Sequence, residues 1–138
     1  MFFEKTENNT ENNDLIKVAA LMIHAAKIDE NYSNHEEEII KKTLLEFGTK
    51  NENLDIVIKK AKEIENNTNQ ILDFTREVKN MTNENKIRII ESLWRIIYSN
   101  KEADIYETNL MRRLAGLLYI DSKIMGDIKD KIKKENSK

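Results

Sequence analysis

From Leu15 to Ala26 hydrophobic side chains occupy almost every position. Leu15, Val18, Ala19, Met22, Ala25 and Ala26 recur at helical spacing, and Leu21 and Ile23 widen that face until little of the surface is polar. The pattern predicts a central helix, opened by a cap at Asn13 or Asp14 and ending near Lys27. Narrower stripes follow. Ser33 with Glu36 forms an S-x-x-E capping box for a second helix bearing Ile39, Ile40, Thr43, Leu44 and Phe47, which Gly48 stops. A third helix is predicted over about Leu54 to Glu65, with Ile56, Val57, Ala61 and Ile64. After the break at Asn66-Asn67-Thr68, a short fourth helix carries Ile71, Leu72, Phe74 and Val78. Thr82 caps a fifth helix on which Ile87, Ile90, Leu93, Trp94 and Ile97 share a face, with Ile89 and Ile96 beside it; this helix too is predicted to be central. Asp104 caps a sixth with Leu110, Met111, Leu114, Leu117 and Leu118. Asp121 or Ser122 opens a seventh with Ile124, Met125, Ile128 and Ile132.

The expectation is an all-α fold of about seven helices. Residues 1–13, polar and without period, are expected to form a flexible arm, 14–132 the helical domain, and 133–138 a charged, solvated tail. An internal repeat gives this domain a plan. Shifted by seventy-one residues, the first helical hairpin aligns with a second without a gap: Asp29 meets Asn100, Asn31 meets Glu102, Ser33 meets Asp104, and Glu36 meets Glu107. Ile39-Ile40 then meets Leu110-Met111, and Phe47 meets Leu118. Two hairpins of one design can bury their apolar faces against each other, so the two are expected to pack with pseudo-twofold symmetry. Helices three, four and seven would close the sides.

Composition narrows the classes. Three glycines and no proline among 138 residues leave little turn chemistry for hairpins or sandwiches, which supports the helical reading. Net charge is −2, with 35% charged residues and no basic cluster, which argues against nucleic acid as a partner. There is no cysteine, hence no disulfide framework, thiol nucleophile or thiolate metal site. The longest apolar run, Val18 to Ile23, falls far short of the ~20 residues of a membrane span. Met1-Phe2-Phe3 passes at once into a polar tract, so no signal peptide is read and the expected location is cytoplasmic.

The two repeated turns carry what chemistry there is. The first places oxygen-bearing side chains at Asp29, Asn31, Ser33 and Glu36, the second at Asn100, Glu102, Asp104 and Glu107. Hard cations such as calcium take six to eight oxygens from flexible loops of this kind at ~2.3–2.6 Å, so Asp29, Asn31, Glu36, Asn100, Glu102, Asp104 and Glu107 are candidate metal ligands. The same Glu36 and Glu107 read equally as capping-box glutamates that satisfy helix-start amides. Neither turn is an EF-hand, since Asn34 or Ile105 stands where that loop needs glycine. His24 reads as a packed or partly exposed core histidine and His35 as a solvated first-turn residue. Trp94 reads as a core anchor where the hairpins meet, and Lys59-Lys60-Lys62 and Arg112-Arg113 as solvated faces.

Ile28-Asp29-Glu30 through Glu36, and Ser99-Asn100-Lys101 through Glu107 followed by Leu110, Arg112, Arg113, Leu114, Ala115 and Leu118, resemble the paired motifs of the tellurite-resistance TerB-like family. That family includes the related amino-terminal region of a membrane-anchored DnaJ-type co-chaperone. The Ala and Gly of its Ala-Asp-Gly motif are replaced in both copies here, and Asn100 stands at the usual Asp of the second. The resemblance spans about Leu15 to Ile128. It implies an all-helical domain, a divalent-cation site on the acidic turns and a link to envelope or oxyanion stress. The function expected is a non-enzymatic helical module that binds protein partners, with calcium or another divalent cation at the turns. The alternative is a metal-dependent hydrolase using the turn carboxylates, and against it stands the lack of a nucleophile–base pair.

Overall fold

The computed structural model describes residues 2–28, 34–67, 71–99 and 105–136. Among them the chain forms seven α-helices and no strand: α1 (Phe2–Lys27), α2 (Asn34–Glu46), α3 (Leu54–Asn67), α4 (Leu72–Lys79), α5 (Asn83–Tyr98), α6 (Ile105–Leu117) and α7 (Ser122–Asn136). A single 3₁₀ turn, Asn51–Asn53, leads into α3.

The apolar patterns decide the layers. Val18 through Ile23 are at most 1% exposed on every side of α1, and Ile89, Ile90, Leu93, Trp94, Ile96 and Ile97 of α5 are at most 2% exposed. These two helices touch and form the centre. α3 and α4 lie against α1, α7 lies against α5, α2 contacts α1, α3 and α5, and α6 packs on α4 and α7. Helices three, four and seven therefore flank the centre as expected. Two buried hydroxyls meet between α2 and α5, Thr43 Oγ1 and Ser92 Oγ lying 2.7 Å apart.

The helix ends follow local chemistry. Thr82 caps α5, its Oγ1 accepting the Asn85 amide at 3.2 Å. Asp121 opens α7, its carboxylate accepting the Lys123 amide at 2.8 Å. Gly48 ends α2 at φ 98°, with the Thr49 amide donating to the Leu44 carbonyl and the Gly48 amide to the Leu45 carbonyl, both at 3.0 Å. That is a Schellman stop. Seventy-one residues later α6 ends the same way without a glycine. Tyr119 takes φ 57°, the Ile120 amide donates to the Ala115 carbonyl at 2.9 Å, and the Tyr119 amide to the Gly116 carbonyl at 3.3 Å. The repeat read in the sequence thus extends to the way each second helix of a hairpin stops.

Several expectations are corrected. The backbone of residues 2–13 continues α1 instead of beginning a helix at Asn13 or Asp14, because nothing in that stretch, neither proline nor glycine, interrupts propagation from the apolar segment. α7 likewise runs on to Asn136, although Lys133 and Lys134 are exposed as the tail was expected to be. Ile56 is 54% exposed, since the buried face of α3 runs through Leu54, Val57, Ile58, Ala61 and Glu65 on the opposite side. Leu72 and Ile124 are also exposed. Trp94 is buried as expected, but the neighbouring helix it reaches is α7: the indole Nε1 donates to Met125 Sδ at 3.4 Å, and Lys129 Nζ stands 5.5 Å from the ring centroid.

Candidate functional site

The helix starts give the repeated glutamates their setting. With α2 beginning at Asn34 and α6 at Ile105, Glu36 and Glu107 are each the third helical residue, one turn from the positive end of the helix. Ser33 and Asp104 then precede the first helical residue, as the capping-box reading requires; both lie outside the described residues. So do Asp29, Asn31, Asn100 and Glu102. Of the seven candidate ligands, the structure therefore describes Glu36 and Glu107.

Both are buried far beyond what a surface cap needs. Glu36 is 1% exposed and Glu107 3%. A carboxylate withdrawn from water to this degree must be partnered, and neither is without a partner. Around Glu107 the setting is aromatic and acidic. Tyr98, at the end of α5, is buried beneath Trp94, the rings stacked at 5.7 Å and 23°. Burial pushes the Tyr98 phenol above its ordinary value, and the carboxylates of Asp130 and Glu107 push it further. The end of α5 thus lies within electrostatic reach of the start of α6, through Glu107, and of Asp130 on α7. Among the described residues no three histidine or carboxylate side chains come together in a cluster able to hold a metal ion.

Between the end of α1 and the face of α6 runs an open groove of about 580 Å³, lined by His24, Ile28, Tyr106, Asn109, Leu110 and Arg113. Ile28 immediately precedes the first acidic turn, and Tyr106 stands in the second, directly before Glu107, so described residues at both turns border one groove.

The structure also shows charged residues that sequence reasoning missed. Glu65 of α3 is buried, its carboxylate taking Lys27 Nζ at 2.7 Å and standing 3.4 Å from His24 Nδ1. His24, read as a core histidine, is accordingly part-exposed beside Glu65 and the ring of Phe74. Lys86 of α5 is 7% exposed and donates through Nζ to the Leu118 carbonyl at 3.1 Å, just beyond the end of α6, where a cation complements the helix dipole. His35, Lys59, Lys60, Lys62, Arg112 and Arg113 are exposed as expected. Lys62 reaches Glu37 of α2 at 2.9 Å.

No helix among the described residues is long and apolar enough to cross a membrane. A family model described as tellurite resistance protein TerB matches residues 15–130 of the chain. No curated protein and no solved structure matches it.

Proposed function

This chain belongs to the TerB family, and on that premise we propose that it is a non-enzymatic helical module that assembles with partner proteins and is tuned by a divalent cation, calcium in the first instance, at its two acidic turns. The supporting observation is the near-complete burial of Glu36 and Glu107 at matching places of the repeat. A capping role is met by a carboxylate at the surface. Desolvating one costs several kcal/mol unless the charge is compensated, and both copies keep a glutamate there. Both glutamates already have partners in the structure; a bound cation would add to that compensation, with each glutamate as an anchoring ligand of its turn. Asp29 and Asn31 would complete the first oxygen set, and Asn100, Glu102 and Asp104 the second. These are hard oxygen donors without sulfur or histidine, which suits calcium or magnesium over softer metals. Assembly with a partner would then follow the order of the turns, whose described neighbours Ile28 and Tyr106 line the α1–α6 groove.

The test is a thermal melt of the whole chain with millimolar calcium and again with EDTA. The proposal expects the ion to raise the melting temperature and the chelator to reverse the gain. Superimposable melts would leave the two glutamates as buried helix caps.

A further inference from the structure

We propose that the groove between α1 and α6 is a binding site for a small organic anion, with Arg113 holding its carboxylate. Helix geometry builds the site. Tyr106, Asn109, Leu110 and Arg113 stand at i, i+3, i+4 and i+7, so they share one face of α6, and His24 with Ile28 forms an i, i+4 pair on α1. The two stripes make walls of mixed character. Leu110, 7% exposed, and the half-buried Ile28 supply an apolar floor. Tyr106, 71% exposed, offers a ring edge and a hydroxyl.

The polar lining is available. Among the described residues the Tyr106 hydroxyl, the Asn109 amide and the Arg113 guanidinium take part in no hydrogen bond or ion pair. The other titratable nitrogen at the groove wall, His24, faces Glu65, and Lys27 beside it is paired with the same carboxylate. An unpaired guanidinium presents a planar fork of donors that matches a carboxylate in two parallel bonds. The volume, about 580 Å³, lies within the ~300–1,000 Å³ typical of small-molecule sites. Apolar floor, donor rim and size together select an organic anion with a flat or compact apolar body over inorganic anions, which have nothing to place on Leu110 and Ile28.

This inference does not rest on the cation reading, and its test is run in EDTA to keep the two apart. The probe is sodium benzoate, titrated into the isotopically labelled chain and followed by amide chemical shifts, with sodium chloride matched for ionic strength and neutral benzamide as the uncharged counterpart. The expected result is saturable shifts at residues 24–28 and 105–113. Benzamide should bind about tenfold more weakly, and Arg113→Gln, an exposed substitution that leaves the fold intact, should weaken benzoate by about tenfold, the lower end for losing a charge-assisted pair. Arg113→Lys should recover only part of the affinity. No saturable shifts at the groove, equal binding of benzamide, or an Arg113→Gln variant that binds benzoate as the parent does would each overturn the proposal.

Discussion

Replacing Trp94 by alanine removes the side chain that fastens α7 to the centre of the fold. The indole is 2% exposed. An aromatic side chain of this kind buries ~150–250 Å², and at about 25 cal/mol per Å² the transfer contribution is roughly 4–6 kcal/mol. Alanine recovers a part of this, while the cavity left between α5 and α7 adds to the loss. The hydrogen bond to Met125, the stack on Tyr98 and the Lys129 cation over the ring go with it. The net expectation is ~3–5 kcal/mol, a large share of the ~5–15 kcal/mol that holds an ordinary domain together. Trp94→Phe keeps most of the area and loses the N–H to sulfur contact, so it should cost about 1 kcal/mol. Trp94 is the chain's one tryptophan, so urea unfolding must be followed by far-ultraviolet circular dichroism, with the parent's emission recorded separately and expected to be blue-shifted. Hydrogen exchange should show the amides of α7 losing protection before those of α1. A Trp94→Ala loss below about 1 kcal/mol, or a parent emission at the wavelength of free indole in water, would refute this placement of the core.

Three smaller perturbations test other parts of the account. Tyr119 holds a left-handed φ of 57° where the first repeat has Gly48, so Tyr119→Gly should stabilise by up to ~1 kcal/mol in urea melts, less the entropy glycine adds to the unfolded chain; a destabilised variant would mean that the Lys79–Tyr119 ring contact outweighs the strain. Thr49 Oγ1 is buried without a hydrogen-bond partner among the described residues, so Thr49→Val should raise stability by ~1 kcal/mol, and a loss in the same melts would show that the hydroxyl is satisfied in solution. The Tyr98 phenol titrates above its ordinary value because it is buried beside Asp130 and Glu107. A raised folded value means stability that is complete below about pH 10 and is lost as pH climbs through the folded value. The parent should therefore lose more stability than Tyr98→Phe between neutral and strongly alkaline pH, and parallel pH profiles would contradict it.

How much of this was legible in the chain can be argued residue by residue. The apolar saturation of Val18–Ile23 and the dense stripe of α5 announced the two central helices, because a helix without a polar face has nowhere to go but inside. Caps at Thr82 and Asp121 and the stop at Gly48 were readable from local chemistry alone. Where a helix has a single buried face, its phase depends on which neighbour covers it, and there Ile56, Leu72 and Ile124 were misplaced. The turn glutamates were found through the repeat, yet their burial was not foreseen, since a capping box is ordinarily a surface device. Glu65 and Lys86 were invisible for a different reason. Their partners lie 38 and 32 residues away in sequence, at Lys27 and Leu118, and only the packing of α3 on α1 and the approach of α5 to the end of α6 bring them together. The groove belongs to the same category, being made by stripes on helices about eighty residues apart.

Under the proposed function Glu36 and Glu107 would be cation anchors as well as caps, and substitution by glutamine separates the two roles. Glutamine still serves a capping box, and it fits the same volume, but it cannot act as a charged bidentate ligand of calcium. The measurement is the melting temperature of the parent, Glu36→Gln, Glu107→Gln and the double variant, each with calcium and with EDTA. The parent should gain ~2.7 kcal/mol for each turn whose ion reaches about 100 times that turn's dissociation constant. Each single variant should fold with the parent's helical spectrum and lose the gain at its own turn, the second turn mattering more because Glu102, Asp104 and Glu107 give it three carboxylates, and the double variant should show no response. A parent whose melt is identical in calcium and EDTA, with both glutamine variants melting alongside it, would contradict the account.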